Sequence, residues 1–246
     1  VSRAVGEIAN MTVPARAPYV GRSAFAHKAG MHVDAMLKDA GAFEHMDPAW
    51  VGNARRYLMS GVGGRGALAA KLKGALPDLT KDSPEAKMLV EEIKRLEEMG
   101  YAFENADASL TLRALGLLGR RMEYFQVLDF HVVSRKPEGD KNAQAYVKVK
   151  VGDLIEIAAD EGDGPVNALD LAVRKALTRF YPSLEKVRLA DFKVRVVGGS
   201  GTAARVRVYM ESTDGERTWS TVGASENIIE ASFIALTDSI EYMLMT

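Results

Sequence analysis

The sequence predicts an α+β protein, a mainly helical first part followed by a duplicated βββα module. Helical spacing and helix caps fill the chain up to residue 120, and period-two alternation begins near Met122. The order strand, strand, strand, helix then occurs twice, at a shift of 63 residues that carries Gly152 onto Gly215.

The elements follow in chain order. Ala4, Val5, Ile8, Ala9 and Val13 share one helical face, and Pro14 and Pro18 end it. The chain opens inside this pattern without a helix start signal or Met, which reads as a piece of something longer. Residues 26–120 read as helical throughout. Asp82-Ser83-Pro84-Glu85 supplies an N-cap and a first-turn proline, Ala86, Leu89, Ile93 and Leu96 form the apolar stripe, and Gly100 stops it. A second helix runs from Asn105 to Gly119 through Leu110, Leu112, Leu115 and Leu118.

Strands are expected at Phe125–Val133, Ala145–Val151 and Leu154–Ala158, with a turn at Lys136–Asp140 between the first two. The helix that follows has the stripe Val166, Leu169, Val173, Leu177 and Phe180. Asp191–Val196, Arg205–Met210 and Arg217–Val222 repeat the strands, and Ile229, Phe233, Leu236, Ile240 and Leu244 repeat the stripe. Two such units can bury their apolar faces together. The boundaries expected are 1–30 as linker, 31–120 as helical subdomain, and 121–246 as the duplicated domain, with repeats at about 123–182 and 188–246.

Composition removes several function classes. The 246 residues balance 32 Lys and Arg against 33 Asp and Glu, so no bulk positive field attracts nucleic acid. No apolar run is long enough for a membrane span, and Val1–Glu7 lack the charged and apolar regions expected of a secretory signal. The absence of cysteine rules out thiolate metal sites and a Cys nucleophile. A cytoplasmic location is expected.

Three of the four histidines, His27, His32 and His45, fall close together. His27 and His32 with Asp34 offer metal-ligand chemistry, but five residues on a helix set the rings about 140° apart. Ordinary hydrogen-bonded histidines, or acid–base and orienting work in a cleft, fit the spacing better than a metal site. Gly61-Val62-Gly63-Gly64-Arg65-Gly66 lacks the Lys-Ser/Thr of a phosphate loop and reads as a turn before a helix. Gly162-Asp163-Gly164-Pro165-Val166-Asn167-Ala168 is more informative. Glycines ahead of a helix let a ligand approach bare backbone, where free N–H groups and the helix dipole attract a carboxylate. Its counterpart in the second repeat is Gly223-Ala224-Ser225-Glu226-Asn227, and a tight strand-to-helix turn is the plain alternative for both.

Pro18-Tyr19-Val20-Gly21-Arg22-Ser23-Ala24-Phe25-Ala26-His27-Lys28-Ala29-Gly30-Met31-His32-Val33-Asp34 resembles the segment after the catalytic barrel in the 2-isopropylmalate synthase, homocitrate synthase and citramalate synthase family. Phe43–Asn53 continues the likeness, and the duplicated half resembles that family's C-terminal regulatory domain. Ser225–Ser232 with Asp238–Tyr242 is most similar to the citramalate synthase branch.

The resemblance implies an enzyme condensing acetyl-CoA with a 2-oxo acid, here pyruvate, on a route to isoleucine. In the family a (β/α)8 barrel holds a divalent metal through a His-x-His motif. This chain has no His-x-His and no strand–helix alternation of the barrel kind, so neither metal nor cofactor is expected in it, and alone it is expected to be inactive. The resemblance further assigns His32, and with it His27, to orienting or protonating the reacting groups in a partner subunit's barrel. A phenol found in some relatives is replaced by Gly41-Ala42-Phe43, with Tyr57 as the substitute. The regulatory half is implied to form a homodimer and to bind an amino acid through Gly162, Asp163, Gly164, Val166, Asn167 and Ala168 with Ser225, Glu226 and Asn227. Isoleucine suits the citramalate branch and leucine the isopropylmalate branch. A free-standing amino-acid sensor is the competing reading, though a sensor needs neither the histidine stretch nor the helical subdomain.

Overall fold

The computed structural model describes all residues except 12, 22, 28–31, 33, 34, 37, 58–63, 135–140, 199, 200, 202 and 203; at residues 3, 7, 40 and 57 the backbone alone is described. The turn expected at 136–140 and the first three residues of the Gly61–Gly66 stretch therefore lie outside the described residues. The chain forms two compact units, Val1–Lys94 and Arg95–Thr246.

The first unit holds α1 (Ser2–Ile8), β1 (Ala26–His27), two 3-10 turns at Ala40–Ala42 and Pro48–Val51, β2 (Arg56–Tyr57) and α2 (Gly64–Leu72). The short parallel pair β1–β2, with Ala26 opposite Arg56 and His27 opposite Tyr57, corrects the expectation of helix throughout. Asp47 accepts a hydrogen bond from Ala49 N and Gly52 closes the turn at a φ of 68°, so local turn chemistry competes successfully with helix here. α3 (Pro84–Glu98) begins where the caps place it, Ala86 N donating to Ser83 Oγ at 3.3 Å. It continues across the boundary between the units.

α4 (Asp107–Leu117) belongs to the second unit with the duplicated module. The first repeat is β3 (Gln126–Ser134), β4 (Ala143–Val151), β5 (Leu154–Gly162) and α5 (Pro165–Leu177). The second is β6 (Arg188–Val196), β7 (Val206–Thr213), β8 (Thr218–Ser225) and α6 (Ile228–Met245). Each set of strands forms an antiparallel sheet in sequence order. The duplication reaches the backbone irregularities, for a bulge between Val127 and Asp129 recurs between Leu189 and Asp191.

Alternation decides which face each sheet buries. Ala143, Ala145, Val147 and Val149 of β4 point into the core with Leu169, Val173 and Leu177 of α5. Val208 and Met210 of β7 do the same with Leu236 and Ile240 of α6. One hydrophobic cluster joins both repeats, and Phe130 of β3 packs on Phe233 of α6 at 4.2 Å between ring centroids. α4 packs against both β8 and α6, where Ser109 Oγ accepts from Val222 N and donates to Asp238 Oδ2. Among the described residues no helix is long and apolar enough to cross a membrane.

Candidate functional site

The predicted site residues fall in two places. In the first unit β1 carries His27, whose Nε2 lies 2.9 Å from Oε1 of Glu44. Glu44 also takes two bonds to Oε2 from Arg55, Nη2 at 2.6 Å and Nε at 3.0 Å, and its side chain is almost fully buried. Burial raises the Glu44 carboxyl, but the hydrogen bonds and charges of Arg55 and His27 outweigh it and hold the group below the usual range. A carboxylate fixed on one ring nitrogen sets an imidazole's orientation and tautomer.

His32 is exposed and stacked on Phe43, 4.2 Å between centroids. Phe43 therefore occupies, as an apolar platform, the place where a phenol was considered. Tyr57 is described in backbone only, within β2. Glu44 and Arg55 went unnoticed in the sequence because one acid and one base eleven residues apart carry no periodic signal.

In the second unit, Gly162 ends β5, and a Cβ there would lie 2.5 Å from Ala168 N. The glycine lets the strand turn directly into the helix. Asp163 N donates to Asn167 Oδ1 at 3.1 Å, and Asp163 pairs with Lys141 at 3.1 Å. Gly164 is the N-cap of α5, with no side-chain cap and open space around its Cα. Val166 is half-buried and Ala168 fully buried.

The corresponding turn of the second repeat is built differently. Ser225 and Asn227 stand at the places of Gly162 and Gly164, and Asn227 Oδ1 caps α6 by accepting from Ile229 N at 2.9 Å. Ser225 Oγ accepts from Asn227 N and bonds Glu230, while Glu226 reaches Arg205 at 3.6 Å. So α6 caps one first-turn amide with its own side chain, whereas α5 starts without a side-chain cap. Among the described residues no hydrogen bond or ion pair links the two turns. A groove of about 430 Å³ opens elsewhere in this unit, between β3 and α6, over Phe130, Phe233 and Ile234 with Asp129 and Glu230 at its rim.

A buried polar cluster also escaped the sequence reading. Ser109 Oγ donates to Asp238 Oδ2 at 2.8 Å, Arg113 approaches the same oxygen at 3.4 Å, and Arg121 bonds Glu241 and lies 3.8 Å from Asp238. Burial pushes both carboxyls up, against the opposing pull of the two arginines. The visible signal was Asp238 and Glu241 in the later turns of a largely apolar helix. Among the described residues no three His, Asp or Glu side chains group as metal ligands.

The family model for the LeuA allosteric (dimerisation) domain matches residues 104–244. That for the homocitrate synthase post-HMGL domain-like family matches residues 19–101. The chain is 48% identical to the (R)-citramalate synthase of Aquifex aeolicus, over 98% of this chain and 46% of the relative. It is 46% identical to that of Geobacter sulfurreducens, over 99% and 47%. A 2-isopropylmalate synthase of Methanocaldococcus jannaschii is 28% identical over 99% and 46%. The chain thus spans about half the length of the curated relatives it matches.

Proposed function

Because the chain belongs to the family of the LeuA allosteric (dimerisation) domain, we propose that it is the regulatory and dimerising half of an (R)-citramalate synthase. That enzyme joins acetyl-CoA to pyruvate, and the chain holds two copies together and lowers turnover when the end-product amino acid binds. The observation that carries this reading is the likeness to citramalate synthases along nearly the whole chain, histidine stretch and duplicated module included.

His32 orients or protonates the reacting groups in the barrel of the partner subunit, and His27 supports it. The pairing of His27 with Glu44 and Arg55 favours such a role, because it keeps the ring in one orientation. The divalent metal of the family belongs to the barrel, and no step is assigned to it on this chain.

Isoleucine is the regulatory ligand, with leucine the alternative. Its carboxylate meets the uncapped start of α5 at Gly164, and its side chain lies towards Val166. One turn per chain does this, since Asn227 already occupies the equivalent position on α6. Binding that favours one dimer arrangement inhibits through a coupling free energy.

Calorimetric titration of isoleucine, leucine and valine into the chain tests the site. Isoleucine is expected to bind most tightly and Gly164→Trp to abolish it, since the open space at that position admits a side chain without disturbing the fold. Undiminished affinity in the variant overturns the assignment. For the enzyme, the coding sequence preceding Val1 decides: a barrel-encoding stretch supports the reading, and an adjoining stop codon overturns it.

A further inference from the structure

Two histidines were assigned to the reaction above, and the fold holds them by different means. His32 lies nearly flat on Phe43, with 4.2 Å between ring centroids. Stacking fixes the plane of a ring and leaves the placing of its protons open. His27 is held at one nitrogen by a carboxylate, its Nε2 lying 2.9 Å from Glu44 Oε1.

That carboxylate is itself fixed. Arg55 Nε lies 3.0 Å from each oxygen of Glu44, and Arg55 Nη2 lies 2.6 Å from Oε2. The Glu44 side chain keeps only 5% of its surface exposed. Strand pairing brings the parts together, because His27 ends β1, Arg55 directly precedes β2, and Arg56 N donates to Phe25 O at 2.9 Å.

The ring protons follow by elimination. Burial raises the Glu44 carboxyl, but Arg55 and His27 outweigh it and hold the group below its usual range. An ionised carboxylate accepts at both oxygens and donates at neither. A lone pair on Nε2 would face a second lone pair at hydrogen-bond distance, so Nε2 carries the proton. In the neutral ring Nδ1 then holds the lone pair, and whatever polar group meets Nδ1 must donate to it.

We propose that Glu44, clamped by Arg55, is a positioning residue that makes His27 a hydrogen-bond acceptor, presenting Nδ1 to a hydroxyl or water among the reacting groups. The inference rests on the assignment of His27 to the reaction and adds the sense of its hydrogen bond and the pair that sets it. Donation to the reacting groups is left to His32.

Nitrogen correlation spectra of the isotope-labelled 246-residue chain read the tautomer directly. They are taken at about pH 9, where an ordinary histidine is neutral, and the His27 signals are those lost in His27→Gln. Wild type is expected to carry one ring proton, on Nε2. In Glu44→Gln the ring is expected to average over both tautomers, because an amide donates as well as accepts. A wild-type ring protonated on Nδ1, or averaged, overturns the proposal, as does a Glu44→Gln ring still fixed with its proton on Nε2. The wild-type spectrum decides even where Glu44→Gln does not fold.

In the enzyme that joins this chain to its barrel, Glu44→Gln is expected to lower kcat about tenfold or more while KM for the 2-oxo acid stays within about twofold. Unchanged kcat overturns the positioning role. A wild type without condensing activity overturns the enzyme reading instead and leaves the tautomer standing.

Discussion

An added Cβ at Gly162 would lie 2.5 Å from Ala168 N and 2.8 Å from its Cα, whereas one at Gly164 meets nothing within 4 Å. Both glycines belong to one motif, yet one is required by packing and the other leaves room for a ligand. Gly162→Ala is expected to lower stability by about 1–3 kcal/mol, the usual range for overpacking against backbone. Gly164→Ser is expected to hold stability or raise it by about 0.5 kcal/mol, because serine is a good N-cap. Thermal unfolding of the two variants measures the contrast, and equal losses would mean that both positions are structural. The motif was readable as a helix entrance from the chain alone. Which of its glycines was free was not, because that depends on where the next turn of helix comes to lie.

At the scale of elements, α4 and α6 are held together by Ser109, Arg113 and Arg121 against Asp238 and Glu241. Both carboxyls have folded pKa values raised chiefly by burial. A raised carboxyl favours the folded state fully below the ordinary carboxylate range, and that contribution is lost as pH climbs through the raised value. The Tm of wild type relative to Asp238→Asn is therefore expected to fall as pH is taken from about 4 to about 7. Melts across that range check the slope, and a difference that is flat or rises with pH contradicts it. The helix limits needed no tertiary information: Ser83, Pro84 and Gly100 bound α3 nearly where capping rules put them. The partner of Asp238 sits 129 residues away, beyond any local pattern.

For the whole molecule, duplication supplies two similar halves and substitution makes them unequal. Asn227 stands for Gly164, Phe233 for Asp170, and α4 packs against β8 and α6 of the second repeat. The inequality leaves an uncapped helix start in one repeat and an exposed apolar strand face in the other. Homodimerisation links folding to protein concentration. The midpoint of wild-type thermal unfolding is expected to rise between dilute and concentrated samples. Calorimetry at two concentrations reads this directly, and a constant wild-type midpoint contradicts it.

The chain by itself determined the α+β class, the three-strand-plus-helix order, its repetition and the helix entrances, because alternation, capping and turn chemistry act between residues a few positions apart. Only the tertiary structure decided that residues 26–57 hold a short parallel pair, that Glu44 and Arg55 secure His27, and that Phe192, Val194 and Val196 of β6 stay exposed. Those outcomes depend on which distant groups share a buried space and which are left facing water.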